Sequence, residues 1–201
     1  SLRTYPMEMV TGGFWMMVDD AKYTATRKLI GKARDIINKQ EEAGNRTLVA
    51  VICMGNAPPD TSIPEETHHS PCSLVLLCSF GTDEAAKTLV KEFVDREIVF
   101  GKPPAVMPFN IFNQVLTGMF LNFPPFATYW SAVMMGGDGI PDDKIDCFCD
   151  HWARHEPWMG GSLVGFEFQG GEEGYEHGKR INQGNEHCVS DMTKDWIVTA
   201  V

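Results

Sequence analysis

The chain has 201 residues, 43% of them hydrophobic and 22% charged, a composition that suits one domain with a sizeable core. Its formal charge of -10, with no basic run longer than the isolated Lys179-Arg180 pair, argues against nucleic acid or an anionic membrane surface as partner, since both demand clustered Lys and Arg. No stretch of about eighteen consecutive apolar residues occurs, so a transmembrane helix is not expected.

Apolar spacing switches between a period of two and one of about three and a half, and this divides the chain. Residues 7–18 read as a strand interrupted at Gly12-Gly13. Asp19 or Asp20 then caps a helix expected to run to about Ala43, where Gly44 stops it. Residues 47–54 form a second strand, 56–71 a polar, proline-bearing loop, and 73–80 a third strand. Thr82 or Asp83 caps a helix from 84 to about 95. The connection Lys102-Pro103-Pro104 leads through Pro108 to a short helix over about 110–119. After Pro124-Pro125, residues 128–135 read as a strand, Gly136-Gly137-Asp138-Gly139 as a turn, and Pro141 opens a helix that runs through His155. An alternating strand follows, Ser162-Leu163-Val164-Gly165-Phe166-Glu167-Phe168-Gln169, ending in Gly170-Gly171. A Gly- and Glu-rich loop covers 170–184, and 189–201 can return as a strand.

Two strands joined without a helix between them imply a hairpin. The expected class is therefore α+β: one domain over 1–201, with its core in about 7–170 and a largely antiparallel sheet carrying helices on one face. Residues 48–54 and 74–78 are apolar at both parities, the mark of strands covered on two sides. About four helices, one of them short, cover a single face. The other face is expected to meet a second domain, a partner chain or a large apolar ligand.

The candidate chemistry is sparse. Alternation puts Val164, Phe166 and Phe168 on one side of their strand and Glu167 on the other. A carboxylate held there, beside a glycine turn, is either a proton acceptor in a cleft or an ordinary solvated residue. His151 and His155 have the four-residue spacing that can share a metal. Trp152 stands where the zincin pattern needs Glu, which favours a solvated helix face. His68-His69 with Cys72, and His187-Cys188, would have to meet in space to make a metal site. The six cysteines fit no paired zinc spacing, and Cys53 and Cys78 read as small buried hydrophobes. No P-loop, GxSxG elbow or strand-following GxGxxG is present. Tyr129 and Trp130 are adjacent on a strand, so one of them faces away from the helices and can wall a flat ligand. The sequon Asn45-Arg46-Thr47 slightly favours a secretory or organellar location, and a chain opening on Ser1 is expected to be processed, trimmed or part of something longer.

Four segments carry a family resemblance: Met107-Pro108-Phe109 with residues 110–116, the aromatic strand Tyr129-Trp130-Ser131, the strand and double-glycine turn at 163–171, and the helix 83–95 after the strand 73–80. In their order and spacing, over roughly 7–196, they resemble the substrate-binding domain of FAD-linked oxidoreductases related to berberine bridge enzyme, within the vanillyl alcohol oxidase superfamily. That resemblance implies an antiparallel sheet with helices on one face and a bare face that covers a flavin ring. The expected cofactor is FAD, held by an FAD-binding domain in another segment or subunit, and the expected substrate is a small organic molecule. Glu167, or Glu172 or Glu173 past the turn, would be the base, with Tyr129, Trp130 and Gln169 touching substrate. The chain departs from the pattern in three ways. The FAD-binding domain, with its phosphate loop and its His and Cys for covalent flavin attachment, is absent. Trp130 or Ser131 stands in place of the Lys of the aromatic strand, and the His-Arg segment after the double glycine has no clear counterpart. A substrate domain alone cannot hold FAD or transfer a hydride. The chain is thus expected to be part of a FAD-linked oxidoreductase, or else a non-catalytic accessory subunit descended from one.

Overall fold

Three long strands supply the centre of the sheet: β1 (Met9–Val18), β2 (Leu48–Asn56) and β3 (Pro71–Ser79). They belong to a computed structural model that describes residues 9–44, 47–114, 131–135, 140–154, 164–168 and 196–200. Five shorter strands complete the sheet: β4 (Ile98–Gly101), β5 (Ala105–Pro108), β6 (Ser131–Met135), β7 (Val164–Phe168) and β8 (Trp196–Ala200). The order is β4-β1-β3-β2-β7-β8-β6, with β5 also pairing β1, and every pairing among the described residues is antiparallel. With the helices this is the expected α+β class.

The helices begin where short polar side chains satisfy their free amides. Helix α1 (Thr24–Glu42) uses both candidate caps. Asp20 Oδ1 accepts from the Lys22 and Thr24 amides, at 2.8 and 3.1 Å. Asp19 accepts from the Ala25 and Thr26 amides, at 3.2 and 2.7 Å. Gly44, at φ +71°, takes the left-handed conformation that ends the segment. Helix α2 (Glu84–Lys91) is capped by Asp83, whose Oδ1 accepts from the Ala86 amide at 2.8 Å. It is shorter than the sequence suggests because the chain tightens past it: Phe93 and Val94 donate three residues back, to Val90 and Lys91. Helix α3 (Phe109–Phe112) is short, and α4 (Asp142–Trp152) follows Pro141.

Strands β4 and β5 replace what the sequence suggests is plain connection. They are split by Lys102-Pro103-Pro104, and together they line one edge of β1. Trp15–Met17 pairs with β4, while Met9–Gly12 pairs with β5. Gly101, at φ +83°, makes this possible, since a Cβ there would run into the Phe14 carbonyl.

The main core lies between the sheet and α1, α2 and α4. One register row, Trp15–Val75–Ile52–Phe166, forms its floor. Leu29, Ile30 and Ala33 of α1, Val90 of α2, and Ile145 and Cys149 of α4 close over it. Full burial of each large side chain contributes about 1.5–3 kcal/mol. Arg27 reaches Asp146 and Asp150, and Arg34 reaches Asp142, across the outer side of the α1–α4 contact.

A polar clamp fixes the sheet end of α1. The Asp19 side chain is 3% exposed and lies 3.3 Å from Arg96 Nη1. Arg96 also donates to the Val18 carbonyl and to Ser73 Oγ, while Thr26 Oγ1 meets both Asp19 and Ser73. The buried charge is thereby paired and hydrogen-bonded, the condition under which burial is tolerated.

Candidate functional site

The parity that sends Ile52, Val75 and Trp15 into the helix-covered core sends Val51, Cys53, Leu74, Leu76, Phe14 and Met16 to the opposite face of the sheet. Two regions differ there. Around Met16 and Cys72 the face is filled by the chain itself, because Ala57 and Ile63, from the segment between β2 and β3, pack onto it with Val99 and Phe100. That segment is held in shape by the His69 amide on the Ala57 carbonyl and by His68 Nε2, which lies 3.1 Å from the carbonyl oxygens of both Asp60 and Ile63. The sequence-based expectation that something outside this chain covers the second face is therefore corrected at this end: a loop of the chain does so. His68 serves the loop, and no group of three metal-ligating side chains occurs among the described residues.

Farther across the sheet, Val49, Val51 and Cys53 of β2 and Leu76 of β3 are half-buried, while Leu74 packs against the loop-covered cluster. Phe14 flanks them, edge-on to Phe100 with ring centroids 6.3 Å apart. The half-buried ones make an aliphatic strip on the central strands, with Phe14 buried at its edge.

Glu167 enters this strip through the strand register. It stands opposite Val51 on β2 and Ile197 on β8. Val51 stands opposite Leu76, Leu76 opposite Phe14, and Ile197 opposite Met134. One register line therefore runs Phe14, Leu76, Val51, Glu167, Ile197, Met134 across the sheet. Tyr129, Trp130, Gln169, Glu172 and Glu173 lie outside the described residues. Of the sequence-derived candidates, the register brings Glu167 alone into a defined relation with the strip. Residues the sequence did not single out, Val51, Leu76 and Phe14, are its row neighbours. The signal for them is the doubly apolar run, but the pairing that aligns them is long-range.

Thiols are the other chemistry at hand. Cys72, on this face, is fully buried, and burial pushes its thiol up to about 12. Cys53 is half-buried, and no disulfide joins the described cysteines. Cys149, in the main core, is likewise pushed up to about 12, chiefly by burial. Thiols held protonated in this way are poor nucleophiles. On the helix side, a groove of about 630 Å³ runs beside α1 and α4, past Gly31 and Ile145. Its arginines are engaged by the α4 aspartates. Asp150 titrates below the usual carboxylate range because Arg27 hydrogen-bonds it.

No protein-family model matches the chain, and no curated protein matches it. Solved structures do. The 6-hydroxy-D-nicotine oxidase of Arthrobacter nicotinovorans superimposes with a TM-score of 0.53 at 13% identity, covering 97% of this chain and 38% of that one. BBE-like 1 of Physcomitrella patens has a TM-score of 0.47 at 12% identity, covering 97% of this chain and 39% of that one. At these identities the likeness is one of fold. The chain spans about two fifths of the length of either protein.

Proposed function

We propose that the chain is the substrate-binding portion of a FAD-dependent oxidoreductase, in which the outward strip of β1, β2 and β3 lies over a flavin held by another segment or chain. The observation that carries this reading is the whole-length fold match to an oxidase of which this chain corresponds to 38%. The strip is apolar, as a surface lying over a ring system has to be, with Val51 and Leu76 half-buried on it. FAD, when bound, supplies the hydride acceptor. This chain's own contribution is to keep water from one face of the site and to hold a carboxylate, Glu167, in the row beside Val51. The strand register sets the Glu167 backbone opposite Val51, and a carboxylate at that position is the candidate general base. Glu172 and Glu173 are the sequence-derived alternatives for that role, and Tyr129, Trp130 and Gln169 the further substrate contacts.

The test begins with the protein expressed from its full coding sequence, together with whatever co-purifies. Absorbance near about 450 nm from an oxidised flavin supports the reading. A colourless protein held firmly in a complex sinks it and favours the accessory-subunit alternative. In flavin-bearing material, Glu167→Gln is expected to lower turnover by about a hundredfold or more, the usual range for loss of a general base. Unchanged turnover removes Glu167 from the mechanism.

A further inference from the structure

We infer that the groove beside α1 and α4 is an interface between two copies of this chain, in which α1 packs antiparallel on α1 of the second copy about a twofold axis at Gly31. The groove lies on the helix-covered side of the sheet, away from the outward strip. Gly31 stands in the interior of a 19-residue helix, where glycine is destabilising relative to alanine. Its backbone does not require glycine, since the left-handed conformation belongs to Gly44 and Gly101 among the described glycines. Packing within the chain does not require it either: a Cβ there would meet only Arg34 Nη2, at 3.9 Å. A missing side chain that faces open space lets another backbone approach the helix closely.

The charges around Gly31 select the occupant. The groove lining holds five Lys and Arg against three carboxylates, in a chain that has 17 against 27. Arg27 and Arg34 are held by Asp146 and Asp142 of α4, and Lys32 donates to the Glu92 carbonyl at 2.7 Å. Lys28 and Lys39 make no ion pair among the described residues. Asp35 meets Arg34 Nε at 2.8 Å and stays 68% exposed. Helical spacing sets positions 28, 31, 32 and 35 on one face. Where two such helices cross antiparallel at Gly31, the turn before the crossing in one copy meets the turn after it in the other. Lys28 of each copy then faces Asp35 of the other, the reciprocal contact that a twofold interface demands. A parallel crossing would set Lys28 against Lys28 and Asp35 against Asp35. A purely acidic partner would match Lys28 and Lys39 but meet repulsion at Asp35, whereas a second copy satisfies both signs.

Sedimentation of the protein expressed from its full coding sequence tests the interface. A reversible monomer–dimer equilibrium is expected, about tenfold or more weaker at about 0.5 M salt than at about 0.05 M, because exposed ion pairs are screened. Lys28→Glu and Asp35→Lys each place like charges together twice across the axis, and each is expected to weaken the dimer about tenfold. Mixed in equal amounts, the two variants are expected to recover the dimer, since both contacts across the axis then join opposite charges again. Gly31→Leu fills the groove with a better helix former. It is expected to leave the fold at least as stable in urea while weakening the dimer about tenfold or more. A protein that stays monomeric at about 0.1 mM overturns the inference. So does a dimer that none of the three substitutions weakens, or a mixture that stays as monomeric as its parts.

Discussion

Asp19 does two jobs with one carboxylate. It accepts the Ala25 and Thr26 amides at the start of α1, and it neutralises Arg96 where β1 ends. Asp19→Ala removes the acceptor and leaves the guanidinium, whose side chain is 19% exposed, with the more exposed Asp95 as its remaining charge partner, 2.9 Å from Nε. Because Arg96 keeps Asp95, the cost falls below that of a fully broken buried pair, about 3–5 kcal/mol, and comes to about 2–3 kcal/mol with the lost helix cap included. Urea unfolding of Asp19→Ala is expected to show a loss of that size. Asp19→Asn keeps one oxygen acceptor and is expected to lose about half as much. A loss below about 1 kcal/mol for the alanine variant would mean that Asp95, Val18 and Ser73 suffice to hold Arg96.

At the scale of the element, β7 shows both what the sequence tells and what it withholds. Its alternation is legible, and Phe166 falls in the helix-covered core as the pattern requires. Its ring meets Phe148 of α4 edge-on, with centroids 5.9 Å apart. Phe166→Ala is expected to cost about 3–5 kcal/mol in chemical denaturation, with the midpoint shifting and the slope unchanged. The neighbours of Glu167 are not legible in the same way. Period-two alternation assigns a face, but the partner at that face is set by which strands meet, and Val51 is more than a hundred residues away in sequence. Helix starts were legible because Asp19, Asp20 and Asp83 act through amides a few residues away. Strands β4 and β5 were not. Four residues between Gly101, Lys102-Pro103-Pro104 and Pro108 are too few to display a period, and their existence follows from β1 needing an edge partner. The length of α2 was overread because Phe93 and Val94 continue its apolar spacing after the hydrogen bonding has changed. Tyr129, Trp130, Gln169, Glu172 and Glu173 fall outside the described residues, so their place in the site rests on the family resemblance.

Taken whole, the molecule hides thiols in two separate packing regions. In the unfolded chain a thiol titrates near about 8.5, whereas Cys72 and Cys149 are each pushed up to about 12 by burial. Between those values the native state keeps protons that the unfolded chain has released. Stability is then fully present below the unfolded value and falls as pH rises, at about 1.4 kcal/mol per pH unit for each thiol. Urea midpoints are expected to drop between pH 8.5 and 10.5, and the drop is expected to shrink in Cys72→Ala and again in a double variant with Cys149→Ala. An unchanged slope in the double variant would place the alkaline sensitivity elsewhere.

The interrupted edge of the sheet bears on how this protein behaves at high concentration. A long, straight outer strand invites other chains to add to it. Here β1, β2 and β3, the strands of 10, 9 and 9 residues, all lie inside the sheet order, while β4 and β5, which finish one side, have four residues each. Gly101 turns the backbone away between them, and the prolines that follow have no amide hydrogen to offer a newcomer. The most apolar strands of the fold are thereby kept out of reach of fibril-like stacking, by a break that the sequence presents as an unremarkable proline-rich connection.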